Sequence, residues 1–390
     1  MTAVVEFAKE AGIDDRLARR NTLVLAVAQA FGLANNVIIF TTASIVGAML
    51  APDKTLATLP VSIYVLGLWA ATLPIGALAR RFGRRTAFQI GTAFGVLTGL
   101  LCGAAVILNS FLLFNLGTFC TGFYAAATQA YRFAATDTAS ESFKPKAISW
   151  VLMGGIGGAI LGPQLVIATQ DLWQPYVFVA SYAAQSLLAV AAAGVLSLLK
   201  IPRPAGRAGA GAGRPLTEIL RQPRFVAAVA CGVASYAIMN MIMTSAPLAM
   251  VLCGHDSRDA TLGIQWHVLG MFLPSFFTGS LINRFGVERI VALGLALNVA
   301  TAVIELSGIG LANFWIGLAL LGVGWNFGFI GATAMVTDCC RPEERTTVQA
   351  FNDFMIFGTM AFGSFLSGSL LATYGWTFVN AVVFPVVGLA

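Results

Sequence analysis

The 390-residue chain is 58% hydrophobic, only 10% charged, and carries a formal net charge of +6. A soluble domain has roughly 25% charged residues, so the composition excludes a water-soluble globular protein and describes an integral membrane protein surrounded by lipid. The positive balance needs no nucleic-acid partner, because membrane proteins keep Lys and Arg on one side of the bilayer.

Residues 1–20 are mixed and charged, with no apolar core of the signal-peptide kind. Apolar runs near spanning length then fall at about 21–49, 57–79, 86–108, 111–133, 147–168 and 175–199. They resume at about 225–252, 261–282, 289–310, 313–336, 348–372 and 376–390. The runs are continuous rather than alternating, which predicts helices and excludes a barrel. The expected fold is therefore all-α, with twelve transmembrane helices. The twelfth run is short, and the sequence stops inside it at Ala390, so the natural protein is expected to continue or to have been trimmed there.

Charge sets the expected orientation. Arg16, Arg19 and Arg20 precede the first run, Arg80, Arg81, Arg84 and Arg85 follow the second, and Lys144 and Lys146 follow the fourth. Further basic residues fill the central loop and follow the eighth and tenth runs. The opposite side has only Lys54 and Arg258. Both termini are expected in the cytoplasm.

The segment 201–213 is rich in Pro, Gly and Arg and reads as a flexible linker. It divides the chain into an N-terminal half (1–200), a cytoplasmic linker (201–224) and a C-terminal half (225–390). The halves repeat one plan. Gly76, Arg81, Gly83, Arg84 and Arg85 follow the second helix, while Gly279, Arg284, Gly286 and Arg289 follow the eighth. Asp137 ends the fourth helix and Asp338 ends the tenth. Duplicated halves place a solute site near the bilayer midplane.

With this repeat the chain resembles the major facilitator superfamily, whose loop signature G-x-x-x-D-R-x-G-R-R is met at Gly76, Arg81, Gly83, Arg84 and Arg85. The acidic position holds Arg80, and Asn283 in the second half, so the gating contacts are expected to differ in detail. Asp137, Glu141 and Asp338 are the acids expected to pair with nearby Arg or Lys. A Gly158/Gly162/Pro163 pattern partly matches the superfamily's Gly-Pro motif, although small-xxx-small spacing is also generic helix packing. The resemblance implies two six-helix halves moving by alternating access, driven by a gradient, because the chain has no phosphate-binding loop. No enzymatic chemistry is implied.

One constellation stands apart. Met239 and Met243 lie four residues apart in the seventh run, and His267 and Met271 four apart in the eighth. Such spacing puts each pair on one helix face. Methionine in a membrane helix is ordinarily packing, whereas an ionisable ring in a spanning helix marks function by default. Three thioethers and an imidazole form a set for Cu(I). Pro247 and Pro274 each remove one helical hydrogen bond nearby and free a carbonyl, and helices broken near the midplane commonly mark transport sites.

This pattern resembles the CcoA-like copper importers within the superfamily. The resemblance implies a bacterial inner-membrane importer that binds copper as substrate through Met239, Met243, His267 and Met271. Cys231 and Cys253 would be accessory ligands. They lie 22 residues apart on one helix, about 33 Å at 1.5 Å per residue, and cannot bond each other. The partners implied are the copper ion, the lipid bilayer and cytoplasmic or membrane copper-handling proteins that feed haem–copper oxidase assembly. The protein would be monomeric and hold no permanent cofactor. Related members of the group are thought to carry riboflavin, so an organic-solute carrier is the alternative, and a non-transporting copper receptor is a second. Asp353 and Glu305 are candidate proton-coupling groups. Asn35, Asn36 and Asn240 are candidate cavity-lining residues, and His255 is a candidate outer metal-capture residue.

Overall fold

The computed structural model describes residues 15–140, 143–201, 214–341 and 344–390, and every described regular element is helical. Before the central loop the chain forms α1 (Asp15–Leu50), α2 (Leu59–Phe82), α3 (Arg84–Ile107), α4 (Phe111–Gln129), the single turn α5 (Tyr131–Ala134), α6 (Lys144–Thr169) and α7 (Val179–Leu196). A short helix, α8 (Leu216–Leu220), precedes α9 (Pro223–Leu252), α10 (Ser257–Phe272), α11 (Ser275–Phe285), α12 (Val287–Leu306), α13 (Leu311–Asp338), α14 (Arg345–Ala381) and α15 (Val383–Leu389). Among the described residues, ten helical segments are long and apolar enough to cross a membrane.

Local chemistry sets the ends. Ser110 caps α4 by accepting the Leu113 N–H at 3.3 Å, Asp256 caps α10 through the Arg258 N–H at 3.2 Å, and Pro223 opens α9 at a position where no helical N–H is needed. The eighth predicted run is two helices rather than one. Pro274 cannot donate the next hydrogen bond, so the chain turns at Leu273–Pro274 between α10 and α11. The eleventh and twelfth runs meet at Gly375, whose φ of 77° and ψ of −180° interrupt α14, so α14 carries the eleventh run and the start of the twelfth.

Two compact units form. One holds residues up to Ile39 together with Leu66–Gly206, and the other holds Phe40–Val65 with Arg207–Ala390. Residues 40–65 join the second unit through the face of α14. There the Ser62 hydroxyl donates to Ser364 Oγ at 3.0 Å, and Gly368 leaves room for Thr58 that a β-carbon would fill.

The linker expected at 201–224 is only partly visible, since 202–213 lies outside the described residues. Its second part, from 214, is packed rather than loose. Ile219 of α8 is buried in a cluster with Phe225, Val287, Val291, Met335 and Val336, with Leu216 and Leu220 against it.

Candidate solute site and its framework

Both halves keep the loop glycine in the same unusual backbone. Gly83 sits at φ 90°, ψ 159° before α3, and Gly286 at φ 90°, ψ 147° before α12. Residues with a β-carbon rarely occupy this region. Around the glycines the charges differ. In the first unit, Arg84 Nε donates to Asp137 Oδ2 at 3.0 Å, while Arg81 lies over the Phe82 ring at 5.2 Å. In the second, Arg224 at the start of α9 reaches Glu288 at 2.9 Å and Asp338 at 3.6 Å. Glu141 and the side chain of Arg80 lie outside the described residues.

A third ion pair ties the segment before α8 to the turn before α14. The Arg214 guanidinium donates to both oxygens of Glu344, at 2.9 and 2.8 Å. Glu344 also accepts the backbone N–H groups of Arg214 and Arg341, each at 2.9 Å. Hydrogen bonding from Arg214, then from the Arg341 backbone, holds the Glu344 carboxyl well below the usual carboxylate range and raises Arg214.

Met239, Met243, His267 and Met271 are all buried, His267 completely. The ring's hydrogen bond runs to α13: Nδ1–H donates to the Leu318 carbonyl at 2.9 Å. Nε2 is buried without a partner. Met271 contributes its carbonyl to the framework, accepting Asn326 Nδ2 at 2.6 Å. Asn326 also donates to Ser275 Oγ at 2.7 Å and accepts from Thr278 Oγ1 at 2.6 Å. One α13 amide thus closes the polar groups exposed by the Pro274 break, a role that nothing in the residue spacing announces.

Cys231 and Cys253 are free thiols near opposite ends of α9, with Cys231 Sγ 3.6 Å from the Ala390 carbonyl. Among the described residues no three His, Cys, Asp or Glu side chains gather as a metal site. His255 is fastened by Nε2 to the Ile309 carbonyl at 2.8 Å. Glu305 is buried on α12, and the side chain of Asp353 lies outside the described residues.

The second unit also assembles an aromatic wall from three helices. Tyr236 of α9 meets Trp325 and Phe329 of α13 edge-on, with centroids 5.5 and 5.1 Å away. It meets Phe357 of α14 at 5.9 Å. Trp325 and Phe329 stack at 5.0 Å with 17° between their planes. Beside them are buried polar atoms without partners: Trp325 Nε1, Ser235 Oγ and Asn240 Oδ1. Asn240 Nδ2 donates to the Met360 carbonyl at 3.3 Å. Flat aromatic faces with a few unspent hydrogen-bonding atoms are what a planar heteroaromatic solute needs. In the first unit, Asn35 is engaged with Gln185, whose Nε2 donates to Asn35 Oδ1 at 2.9 Å.

The Major Facilitator Superfamily family model matches residues 24–273 and 231–390. The chain is 51% identical to the riboflavin transporter RfnT of Brucella anthropi, over 96% of this chain and 95% of the relative. It is 30% identical to an uncharacterised transporter of the same type, YdeG of Bacillus subtilis, over 91% of this chain and 86% of that one. The fold matches the nucleoside transporter NupG with a TM-score of 0.73 at 13% identity, covering 95% of this chain and 97% of the other. These findings overturn copper import: the relative spanning almost the whole chain at 51% identity is a riboflavin transporter. Thioethers serve packing as well as ligation, so their spacing alone does not single out a metal.

Proposed function

The chain belongs to the major facilitator superfamily, and we propose that it carries riboflavin across the bacterial cytoplasmic membrane. Alternating access of two six-helix halves would move the solute, with both termini on the cytoplasmic side as the Lys and Arg distribution predicts. The observation that carries the reading is the 51% identity to a riboflavin transporter over 96% of the chain.

The wall of Tyr236, Trp325, Phe329 and Phe357 supports it, because an isoalloxazine ring offers a large flat face for stacking and several edge acceptors for donors such as Trp325 Nε1. In this reading Met239 and Met243 give the wall adaptable apolar bulk. His267 holds α10 against α13 as a neutral donor.

The test is uptake of labelled riboflavin by riboflavin-auxotrophic bacteria that lack their own carrier. Cells expressing the protein should accumulate label in a saturable manner, and unlabelled riboflavin should compete. Trp325→Ala should raise KM by about 2- to 10-fold, the equivalent of the 0.5–1.5 kcal/mol of an aromatic pair. Absence of accumulation by properly inserted wild type ends the proposal.

A further inference from the structure

Glu305 sits in the α12 span with 2% of its surface exposed, and neither carboxyl oxygen has a hydrogen-bond partner. An isolated carboxylate is strongly disfavoured in such a place, and a neutral carboxylic acid is tolerated far better. The surroundings are built to size. Opposite it on α13 stands Gly317, where a β-carbon would press on the carboxyl group at 2.5 Å.

The polar side chain facing it is Asn380, near the end of α14. Asn380 Nδ2 gives one of its two N–H groups to the Trp376 carbonyl at 3.2 Å, and its buried Oδ1 has no partner. A carboxylic acid has one O–H to give it.

Among the described residues no ion pair brings a cation to Glu305. On α12 itself, Glu288 and Arg289 lie at the far end, Glu288 paired with Arg224 of α9, which also reaches Asp338 of α13. Arg284 of α11 lies over Phe285 at that same end. The α15 segment has no ionisable side chain. The nearest histidine by loop position, His255, bonds the Ile309 carbonyl and meets the Phe314 ring at 5.7 Å. The side chains of Arg345 and Asp353 of α14 lie outside the described residues.

The same face of α12 continues as a polar line. Thr301 donates to the Gly317 carbonyl at 3.2 Å. Asn298 is fully buried, with both amide atoms unpartnered. It lies two turns from Glu305, about 10 Å at 1.5 Å per residue.

We propose that Glu305 is the proton-binding site of this carrier, holding one proton while buried against Gly317 and Asn380. The proton leaves as hydronium when water reaches the α12–α13 face, with Thr301 and Asn298 as the polar stops along it. Loss of the proton creates a carboxylate that the closed seam cannot hold, so proton movement and helix movement are tied. The inference rests on the carrier reading and adds the coupling ion and its residue.

The experiment separates coupling from carriage. Full-length protein in liposomes is assayed for riboflavin exchange at equal pH, and for net riboflavin accumulation under an imposed pH gradient. Glu305→Gln, which mimics the protonated acid, should keep exchange and lose gradient-driven accumulation. If accumulation in that variant still follows the gradient, or if wild type ignores the gradient, the proposal is overturned. If wild type neither exchanges nor accumulates riboflavin, the carrier reading fails instead. Infrared spectroscopy then tests Glu305 directly. Wild type at neutral pH should show the carbonyl stretch of an unhydrated carboxylic acid, which Glu305→Gln removes; a wild-type spectrum without that band overturns the proposal whatever the variant's folding.

Discussion

The loops that close the second and eighth spans share a backbone and differ in wiring. Gly83 and Gly286 adopt the same positive-φ conformation, and each starts the next helix directly. The residue after the glycine is Arg84 in one half and Val287 in the other, and the next is Arg85 against Glu288. In the first half the motif arginine reaches forward to Asp137. In the second, Asp338 is served from α9 by Arg224, which also holds Glu288. The lesson is that a duplicated fold keeps what the backbone demands and lets charges drift, provided each acid finds a cation nearby.

The comparison can be broken most strongly at the glycines. Gly83→Ala and Gly286→Ala should each cost about 1–3 kcal/mol, since the alanine must hold a conformation nearly reserved for glycine. Thermal unfolding in detergent measures this. Near-equal losses would place the shared backbone above the unlike charges, and a loss in only one would sink that ranking.

A smaller effect is expected at the Arg214–Glu344 pair, which ties the segment before α8 to the turn before α14. Glu344→Gln should lower the melting temperature at pH 7. The folded carboxyl titrates below its unfolded value, so its stabilisation is full above the unfolded pKa. It is lost as pH falls from there through the folded pKa. The gap between wild type and variant should therefore close on acidification below about pH 4. A gap that widens there would contradict the assignment.

The smallest effects belong to the motif ion pairs. Double-mutant cycles should give about 0.2–1 kcal/mol for Arg84 with Asp137. Arg224 with Asp338 should give less, because those side chains are 50% and 61% exposed against 25% and 29%. A larger coupling at Arg224 would reverse the order.

Much of the architecture was legible in hydropathy, which marks the spans, and in prolines and glycines, which mark the breaks at Pro274 and Gly375. The site was far less so. Four-residue spacing shows that His267 and Met271 share a face, but not which neighbour that face meets, and the ring's bond runs to Leu318 on a different helix from the Met pair. Tyr236, Trp325, Phe329 and Phe357 come from three helices with no common interval. The 214–224 stretch read as linker because its ordering comes from Glu344, 130 residues on from Arg214.

The α12–α13 seam has one last consequence. Where Gly294 meets Gly324 and Gly328, backbone lies against backbone, with no room for a β-carbon. Interlocking knobs usually fix the register of two helices; smooth stretches like this one cannot. Beyond the apolar cluster of Val287, Val291 and Leu295 with Met335 and Val336, register along this seam is helped by a few polar pins: Asn298 against Gly324, Thr301 on the Gly317 carbonyl, and Glu305 against Gly317 itself. Changing the state of a single pin would then loosen the register of this stretch, while the apolar cluster at the other end of the seam stays packed.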